Sequence, residues 1–222
     1  MDLENALRQL RIVPVIEIAD ASNAVPLGQT LVDAGLPVAE VTFRTPAAAE
    51  AIARMVREVS GLLVGAGTVL SETDVDAAVD AGAHFLVSPG LNASVVQRAQ
   101  RAGVPIIPGV TSPTEIEAAR ALDLRLLKLF PAEAVGGLPL VKAFAAPYPD
   151  VAFMPTGGIT ASTVEAWLQV PTVAACGGSW IATKADISGR NWDEIRNKAS
   201  QAVRLVSPSV ASVTATGPSQ TT

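Results

Sequence analysis

Eight short apolar runs, mostly β-branched, begin near Ile12, Val38, Leu62, His84, Val104, Leu126, Val151 and Val173. Their starts lie 20 to 26 residues apart. That interval is the length of one strand, one helix and two short loops. The segments between the runs read as helices. Ser71 heads "SETDVDAAVDAG" with Asp74 three positions on, the spacing of a capping box. Ser112-Pro113 heads "SPTEIEAARAL" with Glu115 as the box partner and proline at the first helical position. Thr45-Pro46 offers a similar cap-and-proline pair without the partner. Ala34-Gly35, Ala81-Gly82 and Ala102-Gly103 end helices with a glycine suited to a left-handed C-cap.

Eight such units imply an α/β fold, a (β/α)8 TIM barrel in a single domain. A doubly wound open sheet shares the same local pattern and is the alternative. "DLENALRQL" reads as an N-terminal capping helix closing the bottom of the barrel, and "NWDEIRNKASQAVRLV" as the last helix. The barrel then occupies 1–206, and 207–222, rich in Ser, Thr and Pro, reads as a disordered tail.

Composition narrows the function classes. Of 222 residues, 49% are hydrophobic and 17% charged, enough to bury one sizeable core. The net charge of −5 comes without a basic stripe, which argues against a nucleic-acid partner. No apolar run is long enough for a membrane span, and the acidic start "MDLENALRQLR" is unlike a signal peptide. A single cysteine, Cys176, leaves no internal disulfide, and one His beside it argues against a His- or Cys-based metal site. The reading is a soluble cytoplasmic protein.

In such barrels the chemistry sits at the C-terminal ends of the strands. The second strand, "AEVTFRT", carries Glu40, Thr42 and Arg44 at alternate positions, so all three project from one face. A Glu–Arg pair satisfying itself inside the barrel is the plain alternative to a catalytic role. The sixth run, "LLKLFP", places Lys128 in phase with Leu126 and Phe130. Snorkelling out of the strand end is its plain reading. With Glu40 in the same lumen another reading opens. A lysine deprived of water more readily keeps a free amine, which can attack a carbonyl and form a Schiff base. A neighbouring carboxylate can then move protons.

The seventh and eighth strands end in Gly157-Gly158 and Gly177-Gly178-Ser179. Glycine pairs after the last two strands fit a phosphate cradle of backbone N–H groups. Two ordinary glycine turns are the alternative. A Schiff-base aldol cleavage of a phosphorylated keto acid uses all these parts. It calls for no metal or other cofactor, because the protonated imine is the electron sink.

The motifs "EVTFRT", "VGAGTVL", "SPGL", "IPGV", "KLFPAE", "PTGGI" and "GGSW" resemble those of the 2-keto-3-deoxy-6-phosphogluconate (KDPG) aldolases, in order and spacing, from Leu10 to about Val206. The resemblance implies roles. Lys128 matches the Schiff-base lysine and Glu40 the acid/base working through a water. Arg44 and Thr68 match the residues that hold the pyruvate carboxylate, with the backbone around Pro89 nearby. Phe130 matches the ring beside the lysine. Thr156, Gly157 and Gly158 match the sugar-and-phosphate side, with Gly178 and Ser179 on the phosphate. The resemblance further implies a cytoplasmic homotrimer of the Entner–Doudoroff pathway. Its partners would be a phosphorylated keto acid, pyruvate and an aldehyde, and 4-hydroxy-2-oxoglutarate would be a second substrate.

Glu17 departs from the family pattern, which is apolar or basic there. It is expected to face the lumen with Val15 and either pair with Arg44 or alter the preference at the aldehyde end. A galactonate-configured aldolase, an oxaloacetate decarboxylase and a non-catalytic trimeric scaffold are the other readings of the same residues.

Overall fold

The computed structural model describes residues 2–206, so the expected tail at 207–222 lies outside the described residues. Strands are β1 Ile12–Ile16, β2 Val38–Thr42, β3 Leu63–Gly67, β4 Phe85–Val87, β5 Ile106–Ile107, β6 Gly109–Val110, β7 Leu126–Leu129, β8 Ala152–Phe153 and β9 Cys176–Gly178. Helices are α1 Leu3–Leu10, α2 Ala24–Asp33, α3 Ala48–Glu58, α4 Glu72–Asp80, α5 Ala93–Ala102, α6 Pro113–Ala121, α7 Gly137–Ala145, α8 Val164–Leu168, α9 Lys184–Ser188 and α10 Trp192–Val206.

The molecule is α/β, with strands and helices alternating along the chain. A curled six-stranded parallel sheet runs β5-β4-β3-β2-β1-β9, and a three-stranded parallel sheet runs β6-β7-β8. Isolated parallel bridges join Phe153 to Val173 and Thr156 to Gly177, linking the β8 and β9 segments. The expected strand from Val104 is split, because Pro108 between β5 and β6 has no N–H to donate. Its carbonyl still accepts from the Lys128 N–H at 2.8 Å.

Side-chain periodicity explains the layers. Val38, Ala39 and Val41 of β2 are fully buried, as are Ala51, Ile52 and Met55 on one face of α3. One apolar core lies between the sheets and the surrounding helices. The helix α1 forms as expected, burying Leu3 and Leu7, and Arg8 donates to the Pro171 carbonyl at 3.3 Å. Among the described residues no helix is long and apolar enough to cross a membrane.

The local signals fare unevenly. The Ser71–Asp74 capping box is present in full. The Ser112 hydroxyl caps α6, but Glu115 reaches one residue beyond the expected box and accepts from the Thr111 N–H at 2.6 Å. Thr45-Pro46 does not start α3, which begins at Ala48 without a side-chain cap. The Thr45 hydroxyl instead donates to the Ile18 carbonyl, tying the loop after β2 to the loop after β1.

Candidate active site

Lys128 is only 5% exposed, so its side chain runs inward and the snorkelling reading fails. Its Nζ lies 3.5 Å from Glu40 Oε1 and 4.9 Å from the centre of the Phe130 ring. Parallel pairing sets this geometry. Lys128 stands opposite Gly109 on β6, and Glu40 stands between Val15 on β1 and Gly65 on β3. Glu40 is fully buried, and neither of its carboxylate oxygens has a hydrogen-bonding partner among the described residues. A buried carboxylate left in this way costs stability, so its presence points to a role in the site.

Room for that carboxylate comes from Gly67. A Cβ there would sit 2.3 Å from Glu40 Oε1. On the lysine side, a Cβ on Gly109 would meet the Pro89 carbonyl at 2.0 Å, so a bare glycine lets the Pro89 backbone approach the strand that pairs with Lys128.

Thr42 closes the end of β2, its hydroxyl donating to the Ile16 carbonyl at 2.9 Å. Arg44 lies beyond the strand, in the following turn, and is exposed at the mouth of the site. The alternative reading, a Glu40–Arg44 pair, is not what forms: among the described residues the ion-pair partner of Glu40 is Lys128. Arg44 Nε donates to Thr68 Oγ1 at 3.3 Å. Thr68 adopts a left-handed backbone, φ 58°. That conformation is costly for a β-branched residue and tends to occur at functional sites.

Two adjoining cavities lie nearby, lined in part by Arg44 and, in one of them, by the Phe130 ring that flanks Lys128; Lys128 and Glu40 themselves line neither. One, of about 280 Å³, is lined by Phe130, Thr156, Gly157, Gly158 and Ser179, among others. Gly157 and Gly158 have φ of 100° and 83°, backbone that a side chain would strain. Gly178 lines neither cavity; it lies in β9 under the Trp180 ring, which a Cβ would strike at 2.0 Å.

The other cavity, of about 340 Å³, shares Val15, Arg44 and Ser179 with the first and adds Glu17, Thr183 and Lys184. Glu17 faces this space with Val15 as expected, but its ion-pair partner is Lys184, at 2.6 Å, and not Arg44. Arg44 is held by Thr68, while Lys184 approaches from the loop after β9.

Sequence reasoning missed Lys184 and the short helix it begins. The signal was available: Thr183 and Asp186 are three apart, like Ser71 and Asp74. The Asp186 N–H donates to Thr183 Oγ1, whose hydroxyl donates back to Asp186 Oδ2 at 2.6 Å. Lys198 of α10 also donates to Asp186, at 2.9 Å. The Lys198 and Thr183 hydrogen bonds hold the Asp186 carboxyl below its usual range.

The family model described as KDPG and KHG aldolase matches residues 3–198. A 2-dehydro-3-deoxy-phosphogluconate aldolase of Haemophilus influenzae is 43% identical over 200 residues, covering 90% of this chain and 94% of its own. The solved 2-keto-3-deoxy-6-phosphogluconate aldolase of Zymomonas mobilis ZM4 with 3-phosphoglycerate is 40% identical. It covers 90% of this chain and 94% of its own, with a TM-score of 0.83. The KDPG aldolase of Legionella pneumophila, solved with pyruvate captured as a covalent carbinolamine intermediate, is 36% identical. It covers 90% of this chain and 97% of its own, with a TM-score of 0.86.

Proposed function

Because the chain belongs to the KDPG and KHG aldolase family, we propose that it is an aldehyde-lyase of the Schiff-base class. It cleaves 2-dehydro-3-deoxy-6-phosphogluconate reversibly to pyruvate and glyceraldehyde 3-phosphate, the aldolase step of the Entner–Doudoroff pathway. 4-Hydroxy-2-oxoglutarate, cleaved to pyruvate and glyoxylate, is the second substrate. The observation that carries the reading is the buried pair of Lys128 and Glu40, 3.5 Å apart, beside the Phe130 ring of a cavity lined also by Arg44 and two positive-φ glycines.

In the mechanism, the neutral Lys128 amine attacks C2 of the keto acid, and the carbinolamine loses water to give an imine. Glu40, through a water, takes the proton of the C4 hydroxyl. The C3–C4 bond breaks, its electrons pass into the protonated imine, and the aldehyde leaves. The enamine is protonated at C3 and hydrolysed to pyruvate. Arg44 and Thr68 hold the carboxylate, with the Pro89 backbone beside it. Phe130 flanks the lysine. Thr156, Gly157, Gly158 and Ser179 hold the phosphorylated end, so that remote binding orients the reacting carbons. Gly178, which lines neither cavity, leaves that set and instead makes room for the Trp180 ring.

We read the two sheets as one closed (β/α)8 barrel. The bridges Phe153–Val173 and Thr156–Gly177, with the single-residue break at Pro108, support closure. The buried Leu3 and Leu7 and the Arg8–Pro171 hydrogen bond support α1 as its capping helix. A cytoplasmic homotrimer, one barrel domain per chain, is the assembly we expect, on family resemblance.

The test is to incubate the protein with pyruvate, reduce with borohydride and locate the modified residue by mass. An adduct on Lys128 is expected. No adduct would overturn the aldolase reading in favour of a scaffold. An aldehyde panel then separates the KDPG reading from a galactonate-configured enzyme or a decarboxylase.

A further inference from the structure

Glu17 and Lys184 meet across the wider cavity, Nζ to Oε1 at 2.6 Å. Their surroundings differ. The Glu17 side chain, just past β1, is 19% exposed, whereas that of Lys184 is 70% exposed. An ion pair with one arm so fully in water holds weakly and opens readily. The base of Lys184 is nonetheless fixed. Thr183 beside it is locked to Asp186, and Asp186 to Lys198 on α10. The result is a long cation on a rigid stem.

Among the described residues, three charged ones line this cavity: Glu17, Arg44 and Lys184. Arg44 is turned toward Thr68, on the carboxylate side of the reading above. Ser179 lines both cavities, so an anion resting on it borders the space between Glu17 and Lys184. A lone Glu17 carboxylate there would repel a phosphate dianion. Lys184 cancels that repulsion and is the lining cation left to meet the anion.

We propose that Lys184 is a specificity-determining residue that leaves Glu17 to bind the distal phosphate of the substrate. Glu17 is then the internal rival for its ammonium. With a substrate ending in a plain hydroxyl the Glu17–Lys184 pair stays closed, so selectivity for phosphate is set by the competition between two anions for one cation. This inference rests on the aldolase reading above.

The experiment measures steady-state cleavage of 2-keto-3-deoxy-6-phosphogluconate and of its unphosphorylated counterpart. The enzymes are the native protein, Lys184→Ala, Glu17→Gln and the double variant. Lys184→Ala is expected to raise KM for the phosphorylated substrate about fivefold or more, the size of a surface charge pair, and to leave kcat unchanged. Glu17→Gln is expected to lower that KM, with the double variant in between. KM for the unphosphorylated substrate should not move. If Lys184→Ala shifts KM for both substrates equally, or for neither, the proposal is overturned. Borohydride trapping of pyruvate on each variant separates the two failures. Adducts throughout with an unselective Lys184→Ala sink this proposal alone. No adduct on the native protein removes the aldolase reading and this inference with it.

Discussion

Lys128 Nζ lies 3.5 Å from Glu40 Oε1, although the two residues belong to different sheets, β7 and β2. The lysine side chain is 6% exposed and the carboxylate side chain not at all. Burying such a pair costs desolvation that its mutual attraction offsets only when every remaining polar site is satisfied. Here the carboxylate oxygens have no hydrogen-bonding partner among the described residues. The arrangement makes a poor stabilising device and a reasonable place for an amine nucleophile beside a proton carrier.

Replacing the amine removes the nucleophile. Lys128→Ala should lower kcat/KM by on the order of 10⁴-fold or more, as loss of a covalent nucleophile does elsewhere. It should also abolish the borohydride-stable pyruvate adduct. Substantial residual cleavage would remove Lys128 from the mechanism.

Glu40→Gln separates proton transfer from imine formation. The rate of cleavage should fall about 10²- to 10⁴-fold, the usual worth of a general acid/base. Pyruvate should still be trapped on Lys128. An unchanged rate would show that Glu40 carries no proton in the reaction.

Gly67 tests positioning without touching a charge. A methyl group there would occupy the place of Glu40 Oε1, 2.3 Å away. Gly67→Ala should push the carboxylate aside and lower kcat about 10²-fold, the cost of roughly an ångström of misplacement. Thermal unfolding measured alongside gives the check: native-like kinetics in a folded Gly67→Ala would mean that the carboxylate position is not critical.

The Asp186–Lys198 pair gives a pH-dependent stability. Hydrogen bonding to Lys198 and Thr183 depresses the Asp186 carboxyl in the folded state. Its contribution is therefore complete above the ordinary Asp range and fades as pH falls through the depressed value. Hydrogen bonding to Asp186 raises Lys198, so that contribution is lost as pH rises through the raised lysine value. Asp186→Asn should cost about 1.5–3 kcal/mol at neutral pH, the range for a hydrogen bond to a charged group. Urea unfolding should show that cost shrinking toward low pH; a cost independent of pH would mean that the charge of Asp186 does not matter.

Much of the site was legible before any coordinates. The period of the apolar runs marked the strands, the polar face of the second strand singled out Glu40, and the phase of Leu126 and Phe130 singled out Lys128, whose inward course was read only once Glu40 was set in the same lumen. Boundaries were less legible where a single hydroxyl had two possible partners. Thr45 looked like a helix cap, yet it bonds to the Ile18 carbonyl, 27 residues earlier in the chain. A local pattern cannot rank a cap against a contact that only folding brings near. Glu115 likewise accepts from the Thr111 N–H and hydroxyl in addition to the Ser112 hydroxyl of the expected box.

Alternation and spacing alone determined the α/β class, the polar face of β2 and the glycine turn beyond β8. These follow from the two-residue period of a strand and from the backbone freedom of glycine. The second glycine pair, Gly177-Gly178, proved to lie within β9 rather than in a turn after it. Which charges meet was decided by the tertiary structure. Glu40 could have paired with Arg44, two turns of the pleat away on its own segment, and Glu17 with that same arginine. Sheet curvature brought Lys128 to Glu40, and the loop after β9 brought Lys184 to Glu17. An ion pair depends on separation in space, and these partners stand 88 and 167 positions apart in the chain, a distance that no local pattern in the sequence can measure.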